Sequence, residues 1–232
     1  MRGVEFVPSD DFQEDIRILE ELLSFFEVDF VLIPDNPLGN PSVSSLVSAT
    51  MIANALGIKT IATISGGGRS KEVVRACLKG VKYADLLGVA CVSGDCQGSY
   101  GISALEILEL AREFEFFKIV SMRDLKAKIQ NGATHAITQP LFDSNKSFVE
   151  SIPVFWNFMP VFSHSTFAKI AKNQKQLGFD IPSSYQNSSD LMAENARLLE
   201  MILSSCDNLY LTPLNLKKQL PYLKELFLLV GV

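Results

Sequence analysis

The chain has 232 residues, hydrophobic side chains make up 47% of it, and its formal net charge is -5. That is enough apolar material for a sizeable core, at a normal length for one α/β barrel. Charges of both signs are mixed, no basic stripe occurs and no apolar run reaches membrane-spanning length, which excludes nucleic acid as the main partner and a membrane span.

Gly3 to Val7 predicts a first strand closed by Pro8, and Asp11 to Phe26 then carries a helical stripe of Phe12, Ile16, Leu19, Leu22, Leu23 and Phe26. Asp29 to Ile33 predicts strand two, ended by Pro34-Asp35-Asn36-Pro37. Helix two runs from about Ser42 to Leu56 and stops at Gly57; it is apolar nearly all round, which predicts deep packing. Lys59 to Ser65 is strand three, followed by Gly66-Gly67-Gly68, and helix three starts near Ser70 and ends before Gly88. Strand four is Val89 to Ser93, helix four Ala104 to Glu113, strand five Lys118 to Ser121 and helix five Arg123 to Gln130. His135 to Thr138 is strand six, a very short helix six covers Ser147 to Ser151, and strand seven is Val154 to Phe158. Helix seven is Thr166 to Leu177, strand eight Leu209 to Thr212 and the last helix Lys217 to Leu229. Strand and helix thus alternate eight times with short links. This predicts a closed parallel (β/α)8 barrel, one domain over residues 1–232, with an open doubly wound sheet as the alternative. The polar stretch Ser183 to Ser189 and an additional helix, Asp190 to Leu203, read as a barrel insertion before the last strand.

A parallel barrel gathers the carboxyl ends of its strands on one face, where chemistry is placed. Those ends carry Glu5, Asp35, Asn36, Thr63, Ser65, Ser93, Asp95, Ser121, Thr138, Gln139, His164, Thr212 and Asn215. Glu5 is a carboxylate within the apolar strand Gly3-Val4-Glu5-Phe6-Val7. Either it points into the mouth, where desolvation raises its pKa and makes it a proton donor, or the strand is partly exposed and Glu5 faces water. Asp95 follows Gly94 and either contacts a ligand or caps a turn. Gly66-Gly67-Gly68-Arg69-Ser70 has the glycines of a phosphate cradle without Walker or dinucleotide spacing, and reads as a flexible loop. His135 opens a strand at the far end of the barrel and reads as structural. Cys77, Cys91, Cys96 and Cys206 form no CxxC pair, which predicts neither a metal site nor a disulfide framework and makes the cytoplasm the expected compartment. The N-terminus carries no signal-peptide pattern. The apolar run Leu226 to Val230 is a docked last helix or a homo-oligomer contact.

Several blocks, in order and over nearly the whole chain, resemble the methylenetetrahydrofolate reductase family, flavin-linked (β/α)8 barrels. Val4-Glu5-Phe6-Val7-Pro8 is similar to the family's opening strand, and Asp35-Asn36-Pro37-Leu38-Gly39-Asn40-Pro41 to a loop of its short members. Ser93-Gly94-Asp95 is similar to the strand-four turn, and Leu214-Asn215 to the end of the strand-eight motif. The most specific block runs from Lys128 through Gly132-Ala133 to Thr138-Gln139 and Phe142-Asp143. The resemblance implies NAD(P)H-dependent reduction of 5,10-methylenetetrahydrofolate to 5-methyltetrahydrofolate through bound FAD, an activity of one-carbon metabolism and methionine biosynthesis. It implies Glu5 as the acid, Asp95 beside pterin and flavin, and Gln139, Phe167 and Asn215 as folate contacts. Lys128, Thr63, Ser65 and Ser93 fall on the flavin side. The chain departs from the pattern in four places. The usual His-Leu-Thr of strand three is Thr63-Ile64-Ser65, the strand-four arginine is Ser93, and the strand-eight tyrosine aligns with Thr212. After strand five the chain enters helix five almost at once, where flavoenzymes have a longer loop holding part of FAD. Those departures motivate two alternatives: a flavin-independent reductase of the same folate, and a non-catalytic pterin-binding or partner-subunit barrel.

Overall fold

The computed structural model describes residues 1–94, 100–142, 151–177, 179 and 181–232. Its eight strands are β1 (Arg2–Glu5), β2 (Phe30–Ile33), β3 (Lys59–Ser65), β4 (Gly88–Val92), β5 (Phe117–Ser121), β6 (His135–Ile137), β7 (Val154–Phe158) and β8 (Leu209–Leu211). They are parallel and close in sequence order, with β1 registered on both β2 and β8. The predicted closed barrel is therefore the fold, and the open sheet is excluded.

The helices of the outer ring are α1 (Phe12–Leu23), α2 (Ser45–Leu56), α3 (Lys71–Tyr83), α4 (Ala104–Ala111), α5 (Leu125–Gln130), α6 (His164–Leu177) and α9 (Leu216–Val230). The insertion before the last strand holds α7 (Ser183–Gln186) and α8 (Leu191–Ser205). Local chemistry sets many of the starts. Asp11, Ser70, Ser103, Asp190 and Asn215 each accept a backbone N–H of the first turn with their side chain. Ser103 and Glu106 complete a reciprocal capping box. The expected short helix from Ser147 to Ser151 lies, apart from Ser151, outside the described residues.

Alternation along the strands separates two cores. Phe30, Leu32, Ile61, Ala90, Ile119, Phe155 and Tyr210 fill the barrel interior, while a larger cluster packs the sheet against the helices. In β3, Ile61 belongs to the interior, whereas the adjacent Thr60 faces α2, its hydroxyl donating to the Ala49 carbonyl at 3.0 Å. Two glycines make the interior possible. A Cβ at Gly3 would lie 2.3 Å from the Phe30 ring, and one at Gly88 would lie 2.3 Å from the Phe117 carbonyl oxygen. The insertion is tied down by a buried amide. Asn195 bonds the backbone N–H and carbonyl of Val161 and accepts from the Tyr185 hydroxyl.

Helix two departs from expectation. α2 buries Ser45, Ser48, Ala49 and Ile52, but Val47 is 50% and Met51 42% exposed. An outer-ring helix meets the barrel along one stripe only, so apolar residues elsewhere on it stay in water. Strand one is also shorter than predicted. It ends at Glu5, although the Phe6 N–H still reaches the Leu32 carbonyl at 3.0 Å. No helix among the described residues is long and apolar enough to cross a membrane.

Candidate functional site

A cavity of about 360 Å3 opens at the carboxyl ends of the strands, and every strand or the residues just past it contribute to its wall. Its apolar lining includes Leu32, Ala90, Ile119 and Ile137. Three groups stand out in the polar lining.

The first is Glu5 with Tyr210. The Tyr210 hydroxyl donates to Glu5 Oε2 at 3.2 Å. Burial pushes the Glu5 carboxyl above the ordinary carboxylate range, and the Tyr210 bond opposes this only in part. The Tyr210 hydroxyl is held well above its own range by burial and by the neighbouring Glu5. Glu5 therefore points into the mouth, not outward to water. Sequence reasoning misses Tyr210 because the resemblance sets Thr212 at the strand-eight tyrosine. Its signal is plain in retrospect: Tyr210 stands between two leucines in the strand, and Tyr210 pairs with Gly3, two residues before Glu5.

The second group joins β6 and β7. Gln139 lines the cavity, and Thr138 accepts the Asn157 N–H at 3.0 Å through its hydroxyl. Asn157 also lines the cavity, is 7% exposed, and its Oδ1 has no hydrogen-bond partner among the described residues. A buried amide oxygen left unpaired costs free energy unless something completes it. Asn157 is a polar residue in an otherwise apolar strand, the same signal that singled out Glu5, yet sequence reasoning passed over it.

The third group is an ion pair across the mouth. Asp35 receives Arg69 Nη1 at 2.6 Å and Nη2 at 3.0 Å, and also the backbone N–H and hydroxyl of Ser65. The Asp35 side chain is 4% exposed and that of Arg69 27%. Asp35, Ser65 and Arg69 all line the cavity, as does Thr63. The glycines before Arg69 are not a flexible loop. Gly66 N–H donates to Val92, Gly68 N–H donates to Tyr100, and Gly67 bridges Gly101. A Cβ at Gly66 would collide with the Ile102 carbonyl oxygen at 1.8 Å. Glycine is required here for close backbone approach, and the Gly66 and Gly68 donors are already engaged within the protein.

The remaining predicted residues lie elsewhere. Lys128 is not in the cavity wall; its Nζ reaches the Ser121 carbonyl at 3.1 Å and the Ser121 hydroxyl at 2.9 Å from behind β5. The Ser93 hydroxyl accepts the Ala104 N–H at the start of α4. Phe167 is buried against Tyr185, with ring centroids 5.1 Å apart. Asn215 caps α9 and borders a second cavity of about 280 Å3, whose wall Glu5 shares. His164 begins α6 beside a separate depression. His135 stacks on Phe117 at 3.9 Å between centroids, at the amino end of the barrel, and burial pushes its pKa down. Asp95, Cys96 and Asp143 lie outside the described residues. Among the described residues no group of three His, Cys, Asp or Glu side chains could hold a metal ion.

No protein-family model matches the chain, and no curated protein sequence matches it. Solved structures do. One is an uncharacterized protein from Clostridium thermocellum that binds two copies of 5-methyl-5,6,7,8-tetrahydrofolic acid. Its TM-score is 0.67 at 13% identity, and the match covers 99% of this chain and 96% of that one. Another is oxaloacetate acetylhydrolase, with a TM-score of 0.55 at 12% identity, covering 97% of this chain and 79% of that one. At such identities the shared feature is the barrel itself.

Proposed function

We propose that the protein binds a reduced folate with its pterin ring in the barrel mouth, and that Glu5 protonates it in a methylenetetrahydrofolate reductase-like reaction. One observation carries this reading. A carboxylic acid whose pKa burial raises lines a cavity built from all eight strands, steadied by Tyr210. An acid whose pKa is raised by burial is suited to donate a proton to a bound heterocycle. The folate-binding barrel from Clostridium thermocellum supports the choice of ligand.

In this reading Glu5 gives its proton to N10 of 5,10-methylenetetrahydrofolate. The N10–methylene bond breaks and leaves an iminium at N5. Hydride from a nicotinamide nucleotide adds to the methylene carbon and completes the methyl group. Gln139 and Asn157 offer amide groups to the polar edge of the pterin, and Leu32, Ile119 and Ile137 pack its faces. FAD is carried by the resemblance alone. Of the described residues assigned to it, Thr63 and Ser65 line the cavity, while Lys128 and Ser93 are engaged inside the protein. Only Met122, Arg123 and Asp124 separate β5 from α5, so that link supplies no long loop for the adenosine and pyrophosphate. That set does not fit a flavin grip.

Calorimetry with 5-methyltetrahydrofolate, paired with NAD(P)H oxidation in the presence of methylenetetrahydrofolate with and without added FAD, tests the proposal. Wild type binds and turns over. Glu5→Gln still binds but loses roughly 100-fold or more in rate, the usual worth of a positioned acid. A wild type that shows no heat of binding overturns the folate site. Equal turnover by Glu5→Gln overturns the acid.

A further inference from the structure

Ser121 and Lys128 present an arrangement that the folate reading leaves unused. Ser121 closes β5, is exposed, and lines the cavity. Lys128 is the fourth residue of α5, is 7% exposed, and among the described residues its amine bonds only Ser121. A lysine ammonium has three N–H donors and no acceptor. The amine has two partners, the Ser121 carbonyl and the Ser121 hydroxyl, and among the described residues no carboxylate forms an ion pair with it. A charged ammonium there would be a buried charge with no ion-pair partner among the described residues. Nζ lies within donating distance of both Ser121 oxygens; in the neutral amine one N–H still donates to the carbonyl, and the lone pair, 2.9 Å from Ser121 Oγ, is free to take the hydroxyl proton.

We infer that Ser121 is a nucleophile and Lys128 its general base, giving the barrel mouth an esterase activity toward short aliphatic acyl esters. The acyl group is short and apolar because Ile119 lies two residues below Ser121 on the same strand and Ile137 is its partner in β6. Ser121 Oγ bonds to the ester carbonyl carbon as its proton passes to Lys128 Nζ. Collapse of the tetrahedral adduct breaks the bond to the alcohol oxygen, which leaves with that proton. Water then attacks the acyl-serine, its proton goes to Lys128, and the Ser121 oxygen recovers it as the carboxylic acid departs. The sum is ester plus water giving acid plus alcohol.

Burial is also the main influence on the amine, and it lowers the Lys128 pKa. The groups that act on it are Asp124, which raises it, Arg123 on the same loop, which lowers it, and Cys91 on β4, which raises it. The amine is therefore available as a base below the pH where a free lysine would be.

The test uses p-nitrophenyl acetate with the whole protein, reading p-nitrophenolate release and, by mass spectrometry, the residue that is acetylated. Wild type acetylates at Ser121, and the rate climbs with pH along the deprotonation of Lys128, followed in the same protein by NMR of its Cε–H signals. Ser121→Ala loses the label. Lys128→Met slows acetylation by roughly 100-fold or more, with folding checked by circular dichroism. Acetylation falling on other residues, or at Ser121 with a rate independent of Lys128 deprotonation, overturns the proposal. So does a Lys128 that titrates as an ordinary lysine, a result that needs no variant to fold.

Discussion

The fold raises the pKa of Glu5, and this has a sign that can be measured. Its carboxyl binds a proton more tightly in the folded barrel than in the unfolded chain, because burial penalises the charged form. The folded state therefore gains from Glu5 fully at pH below the unfolded carboxylate value, and loses that gain as pH rises through the raised folded value. Each unit of difference is worth roughly 1.4 kcal/mol. Glu5→Gln removes the titration and keeps an acceptor for Tyr210. Its thermal midpoint is expected to exceed that of wild type at about pH 8, with the difference closing toward about pH 4. A difference that does not vary with pH shows that Glu5 titrates as it does in water. The same residue marks how far single positions were legible. A charged group within an apolar strand announced itself, and the rule that found Glu5 also fits Asn157. The Asp35–Arg69 pair was not legible at all, since its partners lie 34 residues apart and meet only through the closure of β2 on β3.

At the scale of elements the alternation of short apolar runs with helical stripes gave all eight strands, and turn residues gave most boundaries to within a few positions. What periodicity does not carry is which neighbour covers a face. α2 reads as apolar all round, and the structure exposes Val47 and Met51 because only one stripe of that helix meets β2 and β3. Nor does it reveal why some strand positions must be small. Gly88 opens β4 with Phe117 beside it in register. Gly88→Ala sets a Cβ 2.3 Å from the Phe117 carbonyl oxygen and 2.6 Å from its Cβ, and backbone in a closed sheet cannot step aside. The expected cost is about 1–3 kcal/mol, the range for overpacking a dense interior, read as a lowered urea midpoint. Gly231→Ala is the control. Its Cβ meets nothing within 4 Å, so any loss there reflects its positive φ of 76° and not crowding. An unchanged midpoint for Gly88→Ala means that β4 and β5 sit further apart than described.

The whole molecule joins the site to stability. The cavity wall draws on every strand of the ring, so a ligand seated there recognises only the closed barrel and its binding free energy adds to folding. For a ligand present at about 100 times its Kd that addition is about 2.7 kcal/mol. In a chain of this length each kcal/mol moves the midpoint by about 2–4 °C. 5-Methyltetrahydrofolate is therefore expected to raise the thermal midpoint by roughly 5–11 °C. Asn157→Leu separates ligand recognition from packing. The free protein loses an unpaired buried amide oxygen and is stabilised, by about 1–3 kcal/mol at most. The ligand loses an amide partner, so the shift it produces shrinks. A variant that is less stable when free and shifts as far as wild type would make Asn157 a packing residue. The opposite changes, a firmer free barrel and a weaker response to folate, are what a site that accepts local instability in order to recognise a polar ring must show.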